Sequence, residues 1–230
     1  MNAASDPHVG RLLDRLKSEN RADWAAYIDH AFVRQLADGS LPEAAFRRYL
    51  VQDYLFLIQF ARAYALAAYK ADTLDDIRAA AVVLTAILDR EMGLHVDFCK
   101  GWGLSQADME VTPEAVQTMA YTRFVLERGM AGDLLDLHVS LAPCFIGYAE
   151  IARAIGPIAD GNPYWAWVEM YASSDYQTAA QGEIALLDSL MARRGGPGRF
   201  ANLSATFGAA TRLEADFWQM GLNAGLDAAG

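Results

Sequence analysis

Three residues of this 230-residue chain have the chemistry of a reacting site and unusual neighbours for it. Asp53 stands inside LVQDYLFL (Leu50 to Leu57), Cys144 inside LAPCFIGY (Leu141 to Tyr148), and Glu214 inside RLEADFW (Arg212 to Trp218). A thiolate is a nucleophile when it is accessible. A carboxyl in apolar surroundings has its charged form disfavoured, and a carboxylic acid with a raised pKa can hand a proton to a substrate. Read this way, Asp53 is an unpaired carboxylate that can orient a ligand, and its removal relieves the fold and raises the melting temperature. Glu214 shares a helix face with Phe207, Phe217 and Trp218 and is the acid. Cys144 follows Pro143, which kinks a helix, and Tyr148 stacks one turn on.

Each residue also has a plain reading. Cysteine is commonly a small buried hydrophobe. A lone apolar-face carboxylate is commonly one half of a buried ion pair or a helix contact. Tyr121, Tyr148 and Tyr171 can be core aromatics with satisfied hydroxyls. Cys99, just before Lys100 and Gly101 at a helix end, reads as structural. A second constellation competes: Glu91 and His95 lie four apart in DREMGLH, and with Asp89 and Glu127 they could project toward metal from several helices. Against this, the Glu-x-x-His spacing of two-metal bundles is missing, and only 4 histidines exist. His8, His30 and His138 have no carboxylate at a matching spacing. No metal and no cofactor is expected.

The elements that must position these groups are helices. Ser40 and Glu43 form a capping box that opens a helix running to Lys70, with Phe46, Leu50, Asp53, Leu57, Phe60 and Tyr64 on one face. Thr73 opens the next, to about Lys100. Pro113 sits at the first position of a third, toward Gly129. Asp133 to Ile155 is a fourth, carrying Cys144. Tyr164 to Ala172 is short, and Asp175 to Arg194 and Arg199 to Ala224 follow, the last carrying Glu214. No run alternates with the period of a strand. The fold class is all-α, a single-domain helical bundle over residues 1–230.

Composition limits the function. Hydrophobic residues make up 53% and charged residues 21%, enough to build a core. A net charge of -10 argues against a nucleic-acid partner, which needs clustered Lys and Arg. No glycine-rich loop ends in Lys-Ser or Lys-Thr, so no nucleotide-phosphate cradle is expected. The start, MNAASDPHVGRLLDR, has no apolar core and does not read as a signal peptide. The longest aliphatic run, Ala79 to Leu88, is too short to cross a membrane. Two cysteines make no disulfide framework. A soluble cytoplasmic protein is expected.

RYLVQDYLFL, PCFIGYAEIA and LEADFWQMG, in this order and at these separations, resemble the TenA or thiaminase II family over most of the chain, and DREMGLH resembles the family at the same place. The resemblance implies a haem-oxygenase-like all-α fold, without haem. It implies hydrolysis of 4-amino-5-aminomethyl-2-methylpyrimidine to the hydroxymethyl compound and ammonia, and cleavage of thiamin to the same pyrimidine and the thiazole, in thiamin salvage. Cys144 then matches the nucleophile, Glu214 the catalytic glutamate and Asp53 the pyrimidine-binding aspartate. Tyr121, Tyr148 and Tyr171 match pocket tyrosines. Phe217 lines the same pocket, and Phe56 replaces a tyrosine that some members carry. A homotetramer is implied, and alanine-rich helix faces permit it. The partner is a small aminopyrimidine or thiamin, unphosphorylated because these motifs hold nothing basic. The alternatives are a metal-dependent oxidase on the same fold and a non-catalytic pyrimidine-binding or regulatory protein.

Overall fold

Residues 10–156 and 161–227 are described by a computed structural model, and among them all regular structure is helical. Three short helices, α1 (Leu12–Glu19), α2 (Arg21–Ile28) and α3 (Ala31–Asp38), precede the long α4 (Glu43–Lys70). Helix α5 (Leu74–Ala86) continues through a π-helical turn (Ile87–Glu91) into α6 (Met92–Gly101). Then come α7 (Gln106–Glu110), α8 (Val116–Ala131), α9 (Leu134–Ile155), α10 (Trp165–Ala172), α11 (Ser174–Arg194) and α12 (Arg199–Asp227). Buried apolar side chains from Leu12 to Met220 form one contiguous cluster.

Helices α4 and α9 are buried on nearly every side. In α4 every residue from Tyr49 to Leu57 is buried, and in α9 every residue from Leu137 to Ala149 is. A helix that is apolar all round belongs at the centre of a bundle. This accounts for the length and hydropathy of α9, which would suffice to cross a membrane, although 89% of its most apolar window is packed inside the protein. By that measure α9, rather than the run from Ala79 to Leu88, is the most membrane-like segment. Helices α8 and α12 pack against both central helices.

Two expected helix starts are displaced, one because Ser40 turns to a neighbouring aspartate and one because a distant side chain takes over the cap. Ser40 does not cap α4. Its N–H donates to the Asp38 carboxylate at 2.9 Å, and the helix begins at Glu43 with the Pro42 carbonyl receiving the first helical bonds. Pro113 likewise precedes α8 rather than opening it. The buried Gln52 amide donates to the Pro113 carbonyl at 3.0 Å, and its oxygen accepts from Ala115 N–H at 2.7 Å and from the Thr118 hydroxyl at 2.6 Å. A side chain of α4 thus caps α8, and helical geometry starts at Val116. Helix α9 starts as expected. Asp133 accepts from Leu135 and Asp136 N–H, and the Asp136 carboxylate accepts from Asp133 N–H at 2.8 Å. Arg199 at the start of α12 bonds both aspartates, at 2.9 and 3.0 Å. The helices carrying Cys144 and Glu214 therefore start from the same end of the bundle.

Helix α9 runs through Pro143 without a break. The ring removes one helical N–H, and Tyr27 of α2 packs over this turn, its hydroxyl donating to the Pro143 carbonyl at 3.2 Å. Room for that ring is made by Gly147, where a Cβ would lie 2.4 Å from a Tyr27 ring carbon and 2.5 Å from its oxygen. The Tyr27 ring is itself held against Trp24 and Trp218. Gly147→Ala is therefore expected to destabilise the fold by about 1–3 kcal/mol through overpacking, read from urea denaturation. Wild-type stability would show that the ring can move aside.

Candidate active site

The three expected residues converge at the centre of the bundle. Asp53 (α4), Cys144 (α9) and Glu214 (α12) are 4%, 9% and 2% exposed. Aromatic rings surround them. Phe56 packs on Tyr121 and Phe217 with ring centres 5.0 and 5.7 Å apart. Tyr148 packs on Tyr171, Trp167 and Trp218. All eight residues assigned to the site from sequence are thus buried in one region. The surface hollows lined by Phe124, Arg128 and Asn202, and by Asp23, Arg212 and Asp216, share no residue with it.

Glu214 accepts a hydrogen bond from the Tyr121 hydroxyl at 2.8 Å. Burial pushes its carboxyl up to about 8; the Asp53 charge adds to the rise, while the Tyr121 hydroxyl and the Cys144 thiol oppose it. It is therefore a protonated acid at neutral pH, as its apolar face implied. Burial also holds the Cys144 thiol well above its ordinary range, helped by the neighbouring carboxyl groups of Glu214, Asp53 and Glu91. The resting thiol is neutral, so it needs a proton acceptor when it reacts. Cys99, the other free cysteine, is buried at the end of α6, and burial pushes its thiol up to about 11.

Asp53 is not an unpaired carboxylate. His95 Nε2 lies 2.7 Å from its Oδ2, and the Tyr49 hydroxyl donates to the same oxygen at 2.9 Å. His95 Nδ1 faces the Glu91 backbone carbonyl at 2.7 Å, and since a carbonyl only accepts, Nδ1 carries a proton. The Nε2–Oδ2 contact then holds either imidazolium with carboxylate or imidazole with carboxylic acid. Asp53 and the Glu91 carbonyl hold the His95 pKa above its ordinary value, against the opposing pull of burial. Tyr49 extends the network: it receives the Trp167 indole N–H at 3.1 Å and meets the Tyr148 hydroxyl at 3.3 Å.

This pairing reverses one expectation. Removing Asp53 strands a fully buried histidine, and breaking a buried pair from one side costs about 3–5 kcal/mol. Asp53→Ala is expected to lower the melting temperature, not raise it. A calorimetric scan showing an unchanged or higher value would mean that His95 finds another partner.

His95 and Glu91 are the site groups that sequence reasoning missed: it weighed them as metal ligands, set that aside and gave them no other role. Of the four residues in that set, Asp89 is exposed, and Glu127 is exposed and paired with Arg128 at 2.6 Å. Among the described residues no three His, Cys, Asp or Glu side chains gather as a metal site. His30 caps α3 by accepting from Phe32 N–H, and His138 pairs with Glu183 at 2.6 Å across two helices. His8 lies outside the described residues. The signal for Glu91 and His95 was their spacing: Ile87, Glu91, His95 and Cys99 recur every four residues. A regular α-helix turns once in 3.6, and the π-helical turn that ends at Glu91 supplies the underwinding that keeps this row facing inward.

The sequence profile described as the TENA/THI-4/PQQC family matches residues 18–224. An aminopyrimidine aminohydrolase of Halalkalibacterium halodurans is 35% identical over 203 residues, which is 87% of this chain and 90% of that one. An uncharacterised protein of Haemophilus influenzae is 40% identical over 215 residues, 92% of this chain and 99% of that one. The crystal structure of a TenA family transcription regulator from Silicibacter sp. TM1040 superposes with a TM-score of 0.89 at 44% identity, covering 93% of this chain and 97% of that one.

Proposed function

We infer that this chain, which belongs to the TENA/THI-4/PQQC family, is a thiamin-salvage hydrolase that converts 4-amino-5-aminomethyl-2-methylpyrimidine to the hydroxymethyl compound and ammonia, and cleaves thiamin to the same pyrimidine and the thiazole. The observation that carries this reading is the meeting of a thiol, a protonated carboxylic acid and an ion-paired aspartate in one aromatic-walled site. Relatives named aminopyrimidine aminohydrolase support the same class of substrate.

The proton inventory explains how a neutral thiol can add to the ring. Glu214 gives its proton to a ring nitrogen, which makes the adjacent ring carbon electrophilic. The carboxylate so formed lies beside Cys144 and takes the thiol proton as sulfur bonds to that carbon. One proton has then passed from sulfur through Glu214 to nitrogen, with no free thiolate needed beforehand. Electron density pushed from the ring expels the amine or thiazole from the methylene, water adds there, and sulfur leaves as the ring re-forms. Asp53 orients the ring. His95 and Tyr49 both engage Oδ2, which leaves Oδ1 to accept from the exocyclic amine. Such a charged hydrogen bond is worth about 1.5–3 kcal/mol, so Asp53→Ala is also expected to weaken pyrimidine binding roughly ten- to hundredfold by calorimetry.

Of the groups that gather here only His95 can carry positive charge, and Asp53 already neutralises it. Nothing remains for a diphosphate, so the substrates are the free compounds, and the cationic thiazolium suits acidic, aromatic walls. The deciding experiment incubates the protein with the aminomethylpyrimidine and, separately, with thiamin, and follows ammonia and thiazole. A second reading, a pyrimidine-binding regulator, draws on the name of the Silicibacter relative. Binding of the pyrimidine without release of either product would favour it. As an enzyme the chain is read as one cytoplasmic domain that assembles as a homotetramer. Exposed Leu74, Val82, Val116 and Met119 offer apolar surface for such assembly, and light scattering would measure it.

A further inference from the structure

We propose that Glu91 is the general base at the exocyclic carbon: it faces the leaving nitrogen and takes a proton from the water that replaces it. This rests on the hydrolase reading, which uses Glu214 at the ring nitrogen and Asp53 at the exocyclic amine and gives no residue to the carbon where the bond breaks.

Position points to Glu91. In the substrate the ring nitrogen and the amino-bearing carbon lie on opposite edges of the ring, and the reacting methylene is attached next to the amino-bearing carbon. A group that acts there must stand beside Asp53, away from Glu214. Glu91 does so. It stands one turn before His95, which is bonded to Asp53 at 2.7 Å, while Glu214 is bonded to Tyr121 of α8. The Glu91 carboxyl acts on Cys144 of α9, on Tyr64 of α4 and on Tyr176 of α11, so it faces the cluster from its far side. The Tyr171 hydroxyl of α10 donates to Glu91 Oε1 at 2.9 Å, and His95 of α6 is bonded to the Glu91 backbone carbonyl. The carboxyl is thus held by one hydrogen bond, and Glu91 as a residue is less deeply buried than Asp53 and Glu214. The π-helical turn that aims it inward is a feature often found at functional sites.

The chemistry balances. An aliphatic amine enters as ammonium, and the cation beside Glu91 favours its carboxylate. The carbon–nitrogen bond breaks and ammonia departs with the bonding pair. Water adds to the methylene as Glu91 removes its proton, and that proton then passes to ammonia, restoring the carboxylate and giving ammonium. With thiamin the thiazole leaves without a proton, and Glu91 acts on water alone. Burial and the Asp53 charge push the carboxyl up to about 7, a value suited to taking and returning a proton at neutral pH.

Glu91→Gln keeps the size of the side chain and its bond to Tyr171 but cannot accept the proton. The expected result is a kcat roughly 10²-fold lower on both substrates. Added azide, which attacks without losing a proton, should restore turnover and yield the azidomethylpyrimidine, seen by mass spectrometry. A near-wild-type kcat would overturn the proposal, and so would a loss that azide does not restore, since a merely structural Glu91 gives no azide product. Circular dichroism checks folding. If the Gln variant does not fold, Glu91→Asp, which withdraws the carboxyl by one methylene, is tested for the same azide product, and its absence counts against the proposal. A wild-type protein that turns over neither substrate would remove the hydrolase reading itself, and this base with it. An active wild type beside an unaffected variant removes the base alone.

Discussion

The Cys144→Ser variant should fold like the wild type and lose turnover on both substrates by roughly 10³-fold or more, a barrier rise of about 4 kcal/mol. The reason lies in the proton path. In the wild type a neutral thiol loses its proton to Glu214 only as sulfur bonds to the ring, and sulfur tolerates the partial negative charge that develops. A serine hydroxyl at the same place is a much weaker acid in the same buried, negatively charged surroundings, so the transition state carries an alkoxide that nothing here stabilises. Serine fills the space with a slightly smaller atom, so circular dichroism and melting should change little. Cys99→Ser is the control: it removes the other thiol, which is buried at the end of α6, and should keep near-normal kcat. A folded Cys144→Ser protein that retains wild-type turnover would remove covalent catalysis and leave Cys144 a packing residue.

Glu214→Gln should bind pyrimidine within a few-fold of wild type and lose roughly 10²-fold or more in kcat, the usual scale for one acid–base group. Gln keeps the oxygen that receives the Tyr121 hydroxyl but carries no transferable proton. The wild-type rate should fall on the alkaline side near pH 8, where the Glu214 carboxyl loses its proton, and that limb should move or vanish in the variant. Equal kcat values with parallel profiles would show a buried structural carboxyl, with Tyr121 or Tyr171 the next proton source.

Stability gives an independent reading of the same group. Burial raises the folded-state pKa of Glu214 above its unfolded value, so between about pH 4.5 and 8 the folded protein holds a proton that the unfolded chain has released. Folding stability from this group is then complete below the unfolded pKa and is lost as pH rises toward 8, with a limiting slope of about 1.4 kcal/mol per pH unit. Glu214→Gln should flatten that part of the curve and be more stable than wild type at pH 8. Urea midpoints across this range would measure it.

The sequence alone determined the long helices, and which residues were out of place on them. Periodicity is a local property: the face of α4 that holds Phe46, Leu50, Asp53 and Leu57, and the face of α12 that holds Phe207, Glu214 and Trp218, follow from spacing, because a helix repeats every 3.6 residues whatever surrounds it. Cys144, Asp53 and Glu214 were legible as out of place for that reason, while their roles as nucleophile, orienting group and acid were what the family resemblance implied, since each type alone also reads as packing or half of an ion pair. The three short helices α1 to α3 passed unread, since eight residues hold too few turns for a face to stand out and no proline marks their starts as Pro163 marks that of the equally short α10.

The tertiary structure decided who meets whom. Asp53 finds His95 across 42 residues and Tyr121 finds Glu214 across 93, and no local spacing encodes either contact. The start of α8 moved for the same reason, Gln52 of α4 reaching over to cap it. The meaning of a buried carboxylate depends on such partners: charge in a low dielectric is costly when alone and tolerable when paired. So the sequence could say that Asp53 was unusual, but only packing could say that it was paired, and that its loss would weaken the fold. Glu91 is the clearest case. Its neighbour His95 four residues on raised a metal site only to set it aside, and the π-helical turn, by underwinding the chain to hold Ile87, Glu91, His95 and Cys99 in one inward row, brought its carboxyl to Tyr171 and its neighbour His95 to Asp53.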